Sequence, residues 1–358
     1  MRLRFALASV LAPLLVVVAV VAGGWWASGK AADTRSSLTS ALDSLPADTA
    51  VAGFTDWSSI RRALDLGSVS TASARESLAA DALTRDLSTR SVIGQFVQEM
   101  HRVYGWSAAD VDWESYGQAP DGAVMVAKLD DSLSMSTVRD GLRRLGYVQD
   151  GDVWNGGPGT AGKVGSDLAA TLASVALVPR QRIIVASNRP AYVSSVLGVV
   201  DRHQPSLLSV RPAADVAAGL VGLDSVLMQR SSLVCESTGV KEQGPEIVSQ
   251  AKAAVTRAGG LEEPTFSGRG IDDGTRTNQL MRFVMSFGPT VDIAGQLRAR
   301  TALATGPFIG RSGRVEDSLD LTGTDADSST LTMRFDHDPD SAVYMTGDGP
   351  LLFAGCGS

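Results

Sequence analysis

The segment from Phe5 to Gly29, FALASVLAPLLVVVAVVAGGWWASG, carries no charged side chain. A hydrocarbon core about 30 Å thick needs about 20 apolar residues in a helix. Eleven positions are Leu, Val or Phe, each favouring insertion by roughly 0.3–0.6 kcal/mol at the helix centre. Their sum outweighs Pro13 and the glycines. Trp25 and Trp26 close the segment, where indole rings favour the headgroup layer, and Arg2 and Arg4 hold its start on the cytoplasmic side. The segment predicts a signal anchor over residues 1–29. The membrane protein is then single-pass, with a cytoplasmic N-terminus and an extracytoplasmic C-terminal domain, and residues 5–29 take the lipid bilayer as partner. A cleaved signal peptide ending at Ala27-Ser28-Gly29 is the competing reading, and it exports the same domain.

Export restricts the chemistry open to the rest of the chain. The formal net charge of −7 argues against a nucleic-acid partner, which needs a basic face. Gly157 to Lys163 matches part of a phosphate loop, but Val164 stands where a hydroxyl must hold Mg²⁺. A loop between strands, with no nucleotide, is the expectation. His101, His203 and His337 form no HExxH and pair with no nearby Cys. Asp336, Asp338 and Asp340 resemble the start of a calcium loop, yet Ser341 replaces its glycine and Gly347 its closing Glu. Neither GxSxG nor SxxK occurs. No catalytic, cofactor-binding or metal residue is assigned. Trp57, Trp106, Trp113 and Trp154 read as core anchors.

Along the exported part, residues 30–45 are small and polar and read as a stalk. Residues 46–120 hold a strand, TAVAGFT, and a helical insertion. From 121 a strand and helix rhythm appears, in which Gly146 ends one helix and Pro190 opens another. It repeats from 224, where Pro245 opens a helix that Gly259-Gly260 closes. In QLMRFVMSF, Met281, Phe283, Met285 and Phe287 alternate onto one face. This order predicts an α+β fold: a transmembrane helix, then two successive ferredoxin-like β-α-β-β-α-β modules, 121–223 and 224–358, each sheet covered by helices on one face.

Three short stretches, Leu45-Pro-Ala-Asp-Thr49, Phe54-Thr-Asp-Trp57 and the terminal Phe353-Ala-Gly-Cys356, resemble uncharacterised membrane-anchored extracytoplasmic proteins of actinobacteria. The resemblance implies a location and lends no activity. The leading functional expectation is a non-catalytic domain that binds an envelope protein or a small ligand. The alternatives are a carrier or receptor for a small apolar ligand, lined by Met281, Phe283 and Met285, or an envelope enzyme without a recognisable motif.

The chain holds two cysteines, Cys235 and Cys356, both in the exported part, where disulfides persist. Cys235 is expected in an apolar strand, SSLVCES, and Cys356 ends an apolar tail that would fray unless tied down. A disulfide between them is expected, with Cα atoms within about 7 Å. Two separate buried thiols, or a redox-active pair, are the other readings.

Overall fold

The computed structural model describes residues 36–356 apart from 162, 164, 242, 274–277, 339, 340, 342 and 344–349. The predicted anchor, residues 5–29, lies outside the described residues. Among those described, no helix is long and apolar enough to cross a membrane.

A single antiparallel sheet organises Ser37–Ser358, which form one compact unit. Its strands are β1 (Val51–Thr55), β2 (Val111–Ala119), β3 (Gly122–Leu129), β4 (Val148–Asp150), β5 (Val153–Asn155), β6 (Ser174–Val178), β7 (Ile183–Ser187), β8 (Ser225–Arg230), β9 (Phe266–Asp272), β10 (Gln279–Ser286), β11 (Leu319–Asp327) and β12 (Thr330–His337). Their spatial order is β11-β12-β10-β9-β8-β1-β2-β3-β7-β6-β5-β4. The middle of the sheet joins distant parts of the chain: β1 and β8 pair antiparallel, with Gly53 opposite Leu227.

The two halves repeat one topology. In the first, the order β1-β2-β3-β7-β6 has helices between β1 and β2 and a helix after β3. In the second, β8-β9-β10-β12-β11 has helices between β8 and β9 and a helix after β10. The expected ferredoxin-like modules are corrected on three points. A ferredoxin-like unit is a split βαβ, with a strand inserted between the two that flank its helix. Here β1 pairs directly with β2, and β8 with β9, across their helical crossovers. The first repeat begins at β1, not at 121, so the strand and helices of residues 46–120 belong to it. The two sheets are one.

Helices cover both faces of that sheet, not one. On the first face lie α2 (Trp57–Ala63), α3 (Ala72–Thr84), α4 (Val97–Tyr104), α5 (Met135–Leu145), α7 (Ser166–Thr171), which follows the short α6 (Gly157–Ala161), and α10 (Ser231–Thr238), α11 (Pro245–Ala258) and α12 (Ile293–Ala304). On the second lie α1 (Ser37–Leu42), α8 (Pro190–Val200) and α9 (Arg211–Leu220). Period-2 alternation divides each strand between the two cores: Met281, Phe283, Met285 and Phe287 join the first, and Val284 joins the second. Central strands are buried on both sides, so Val124 to Ala127 are all inaccessible. The local signals are ordinary. Asp56 caps α2 by accepting from the Ser59 N–H, and Gly146 ends α5 with φ 87° in the left-handed region.

Two further expectations change. Residues 37–45 are not a stalk: α1 and the turn after it bury Leu38, Ala41, Leu42 and Leu45 in the second core. The spacing of these residues is helical, and their burial outweighs the polar Ser and Thr between them. The stretch SSLVCES is helix α10, not a strand. Ser231, with φ 30°, turns the chain out of β8 at that point.

Candidate ligand cleft

In the second repeat, helices α11 and α12, the loop after α12 and the C-terminal tail enclose an apolar cleft. Each wall has a local cause. Pro245 opens α11 at its first turn, and Gly259, at φ 108°, closes it in the left-handed conformation. Asp292 caps α12 by accepting from the Gly295 N–H at 3.0 Å. The following loop folds back as a short hairpin: Pro307 bridges Arg314, and the Phe308 N–H donates to the Gly313 carbonyl at 3.0 Å. This brings Phe308 and Val315 into the core beside Leu303.

The tail is the fourth wall, and a disulfide, an aromatic contact and a buried arginine hold it. Cys235 on α10 and Cys356 form a disulfide, with Cα atoms 5.2 Å apart. Phe353 fills the space between Phe283 and Phe335, its ring 5.1 Å from each. Arg300, on α12 and wholly inaccessible, donates from Nη1 to the carbonyls of Phe353 (2.7 Å) and Gly355 (3.0 Å), and from Nη2 to that of Glu262 (2.7 Å). Burial pulls its pKa down to about 9. Its three bonded acceptors are carbonyls, and its guanidinium lies over the Phe287 ring at 5.2 Å. The two cysteines expected from sequence to pair are thus joined, and their bridge anchors this wall.

The cleft between these walls measures about 190 Å³. Its lining includes Ala254, Ala258, Ala302, Leu303, Phe308, Val315, Pro350 and Leu351, with Arg257 as its charged residue. Met281, Phe283 and Met285, expected to line a ligand site, are instead buried in the core beneath. An engineered apolar cavity of about 150 Å³ takes up benzene. The volume here suits one ring or a short alkyl group.

Other sequence candidates come together less. Gly157–Ala161, expected as loop, form the short helix α6, and Lys163 is exposed; Gly162 and Val164 lie outside the described residues. His101 sits half-buried on α4 and His203 is exposed after α8. His337 is buried in β12 between the Gln279 Oε1 (3.1 Å) and the Val343 carbonyl (2.7 Å). Burial lowers its pKa, while the Val343 contact and the charges of Asp86 and Asp338 oppose the shift. Asp336 and Asp338 are described and Asp340 is not. No group of three or more His, Cys, Asp or Glu able to hold a metal occurs among the described residues. The four tryptophans read as core anchors are buried.

Sequence reasoning passed over three buried charged groups. Arg300 could have been noticed: with Gln296, Leu303 and Ala304 it shares the i, i+3, i+4 face that α12 buries. Glu114 on β2 is 1% exposed and takes donors from Ser91 Oγ (2.5 Å), Val92 N (2.7 Å) and Trp57 Nε1 (3.2 Å). Burial raises its pKa and these bonds oppose the rise. Both its oxygens are engaged, so it ties β2 to the helices as a structural group.

Asp224, at the start of β8, is 2% exposed and accepts from the Asp273 N–H at 3.1 Å. Its pKa is raised to about 6, chiefly by burial and further by the charges of Asp272 and Asp56. A raised folded-state pKa favours the proton, so this carboxyl leaves stability intact below its ordinary pKa of 3.8 and costs stability as pH climbs through about 6. Each tenfold change in proton affinity is worth about 1.4 kcal/mol, so the cost above that range is of order 2–3 kcal/mol. Asp224→Asn, which keeps an acceptor for Asp273, should flatten the urea stability profile between about pH 4 and 6.5. An unchanged slope in the variant would assign the pH dependence elsewhere.

No protein family and no curated protein matches this sequence. The chain is similar to two solved structures of TP0453. Crystal form I is 6% identical, covering 86% of this chain and 95% of that one with a TM-score of 0.41. Crystal form III is 7% identical, covering 84% and 94% with a TM-score of 0.40.

Proposed function

We propose that this chain is a non-catalytic binding protein, tethered to the membrane by residues 5–29, that displays its folded unit outside the cytoplasm and takes up a small apolar group in the cleft of its second repeat. The observation that carries the reading is the apolar cleft between α11, α12 and the tail. Ligand sites are concave and mostly apolar with few polar groups, and this cleft has that character on a smaller scale than a drug-sized site. A disulfide that pins one wall suits an oxidising compartment. The two-cysteine composition and the uncharged N-terminal segment point the same way.

The test is a ligand screen with an internal control. Full-length protein in lipid nanodiscs, titrated with small aromatic and alkyl fragments, should show saturable binding by ligand-observed NMR. Ala302→Trp should abolish it, because Ala302 is exposed at the cleft and the indole would occupy the space. Binding that survives Ala302→Trp, or no saturable binding of any fragment, would remove the cleft as the functional site. A reporter active only outside the cytoplasm, fused after Ser358, tests the topology separately.

A further inference from the structure

The described lining of the cleft holds one charged residue, Arg257. Arg257 is exposed on the last turn of α11 and lines the cleft. Its Nε donates to the Ala253 carbonyl at 3.2 Å, a bond within its own helix. Its two terminal nitrogens have no carboxylate or other partner among the described residues. Other exposed arginines of this region are engaged: Arg314 pairs with Glu316 at 2.7 Å, and the Arg311 guanidinium stacks over Phe308 at 5.2 Å. That stack places a second positive charge against a ring that itself lines the cleft. Among the described residues, the lining contains no Asp and no Glu.

An apolar hollow with two free guanidinium nitrogens and no carboxylate among its described lining residues selects for one kind of guest. Resting on the binding function proposed above, we infer that the cleft takes a small amphiphilic carboxylate, with the phenyl or short alkyl body among Leu303, Phe308 and Leu351 and the carboxylate on Arg257. Arginine suits this role because its planar fork presents two parallel donors to the two oxygens of a carboxylate. The hollow holds about 190 Å³, room for one such body, which favours a free small molecule over an extended chain. Because Arg257 is exposed, water screens the pair, and its contribution is that of a surface ion pair.

The experiment compares two probes of one shape. Full-length protein in nanodiscs is titrated at pH 7.5 with 4-phenylbutyrate and with the uncharged 4-phenylbutanol. The acid should bind about fivefold more tightly than the alcohol, the ratio expected of an exposed pair. Arg257→Gln should bring the two affinities together by weakening the acid alone, and raising the salt concentration should do the same. Ala302→Trp should abolish the binding of both. Equal affinities in the wild type, or a preference for the acid that survives Arg257→Gln, would overturn the carboxylate assignment while leaving the apolar cleft standing. Absence of binding by both probes would instead count against the cleft itself. A peptide ending in a free Phe carboxylate that bound at least tenfold more tightly than 4-phenylbutyrate would overturn the small-molecule assignment in favour of a protein terminus.

Discussion

Phe353→Ala is expected to lower the unfolding free energy by about 3–5 kcal/mol, the range for truncating a buried phenylalanine. The ring is 1% exposed and meets Phe283 nearly at right angles and Phe335 at a tilt, both at 5.1 Å. Aromatic pairs in such arrangements add about 0.5–1.5 kcal/mol beyond area burial. The neighbours cannot easily collapse into the void, because Phe283 and Phe335 lie on adjacent strands whose register is set by Phe283 opposite Met333 and Met281 opposite Phe335. The loss should therefore approach the upper end. Urea unfolding of the wild type and variant, both oxidised, measures it. A change below about 1 kcal/mol would mean that the tail is not packed as described. Phe353 also lines the cleft, so fragment binding should weaken in the same variant. Phe353→Leu, which keeps most of the apolar volume, should restore much of the stability.

That this residue matters so much was partly legible in the sequence. The tail PLLFAGC is apolar and ends in one of two cysteines, which predicts that it is tied down; the identity of its neighbours is not local information. Alternation in Met281 to Phe287 shows that one face of β10 is buried, but it does not say that a segment from far along the chain covers it. The same limit explains the larger error. Strand and helix order is written in period and punctuation, so the helix stops at Gly146 and Gly259 are readable. Which strands become neighbours depends on pairing between distant residues, such as Val51 with Gln229 in the middle of the sheet. Nothing in either strand announces the other. SSLVCES failed for a different reason: a short apolar run fits strand and helix equally well, and a single turn at Ser231 decides between them. The cleft was not legible at all, because its described lining comes from four separate segments and the charged residue among them, Arg257, reads locally as a solvated position on α11.

Replacing both cysteines, Cys235→Ala with Cys356→Ala, is expected to cost about 2–5 kcal/mol, the usual loss for a native bridge. The bridge spans a sequence separation of 121 residues, so it closes nearly the whole second repeat. In the chain-entropy account a loop of that length restrains the unfolded state by nearly 5 kcal/mol. The native state loses something different. Without the bridge, the tail from Pro350 onward is held by the Phe353 packing, the Leu351 N–H bond to the Thr238 carbonyl and the carbonyl bonds from Arg300. Arg300 sets the limit on how far the tail can move. If the tail left, a buried guanidinium would lose two of its three acceptors, and an unsatisfied charged donor costs more than a neutral one. The double variant should therefore keep a docked tail that opens more often. Amide hydrogen exchange at Leu351 to Cys356 should accelerate by at least tenfold, while exchange in β8 to β10 should quicken only as far as the global loss of stability requires. Adding Arg300→Met should have a smaller effect on the tail in the oxidised protein than in the double cysteine variant, because the bridge and the guanidinium hold the same segment and their contributions are coupled. Equal stability of the oxidised wild type and the double cysteine variant, with unchanged exchange in the tail, would show that packing and Arg300 alone fix this wall of the cleft.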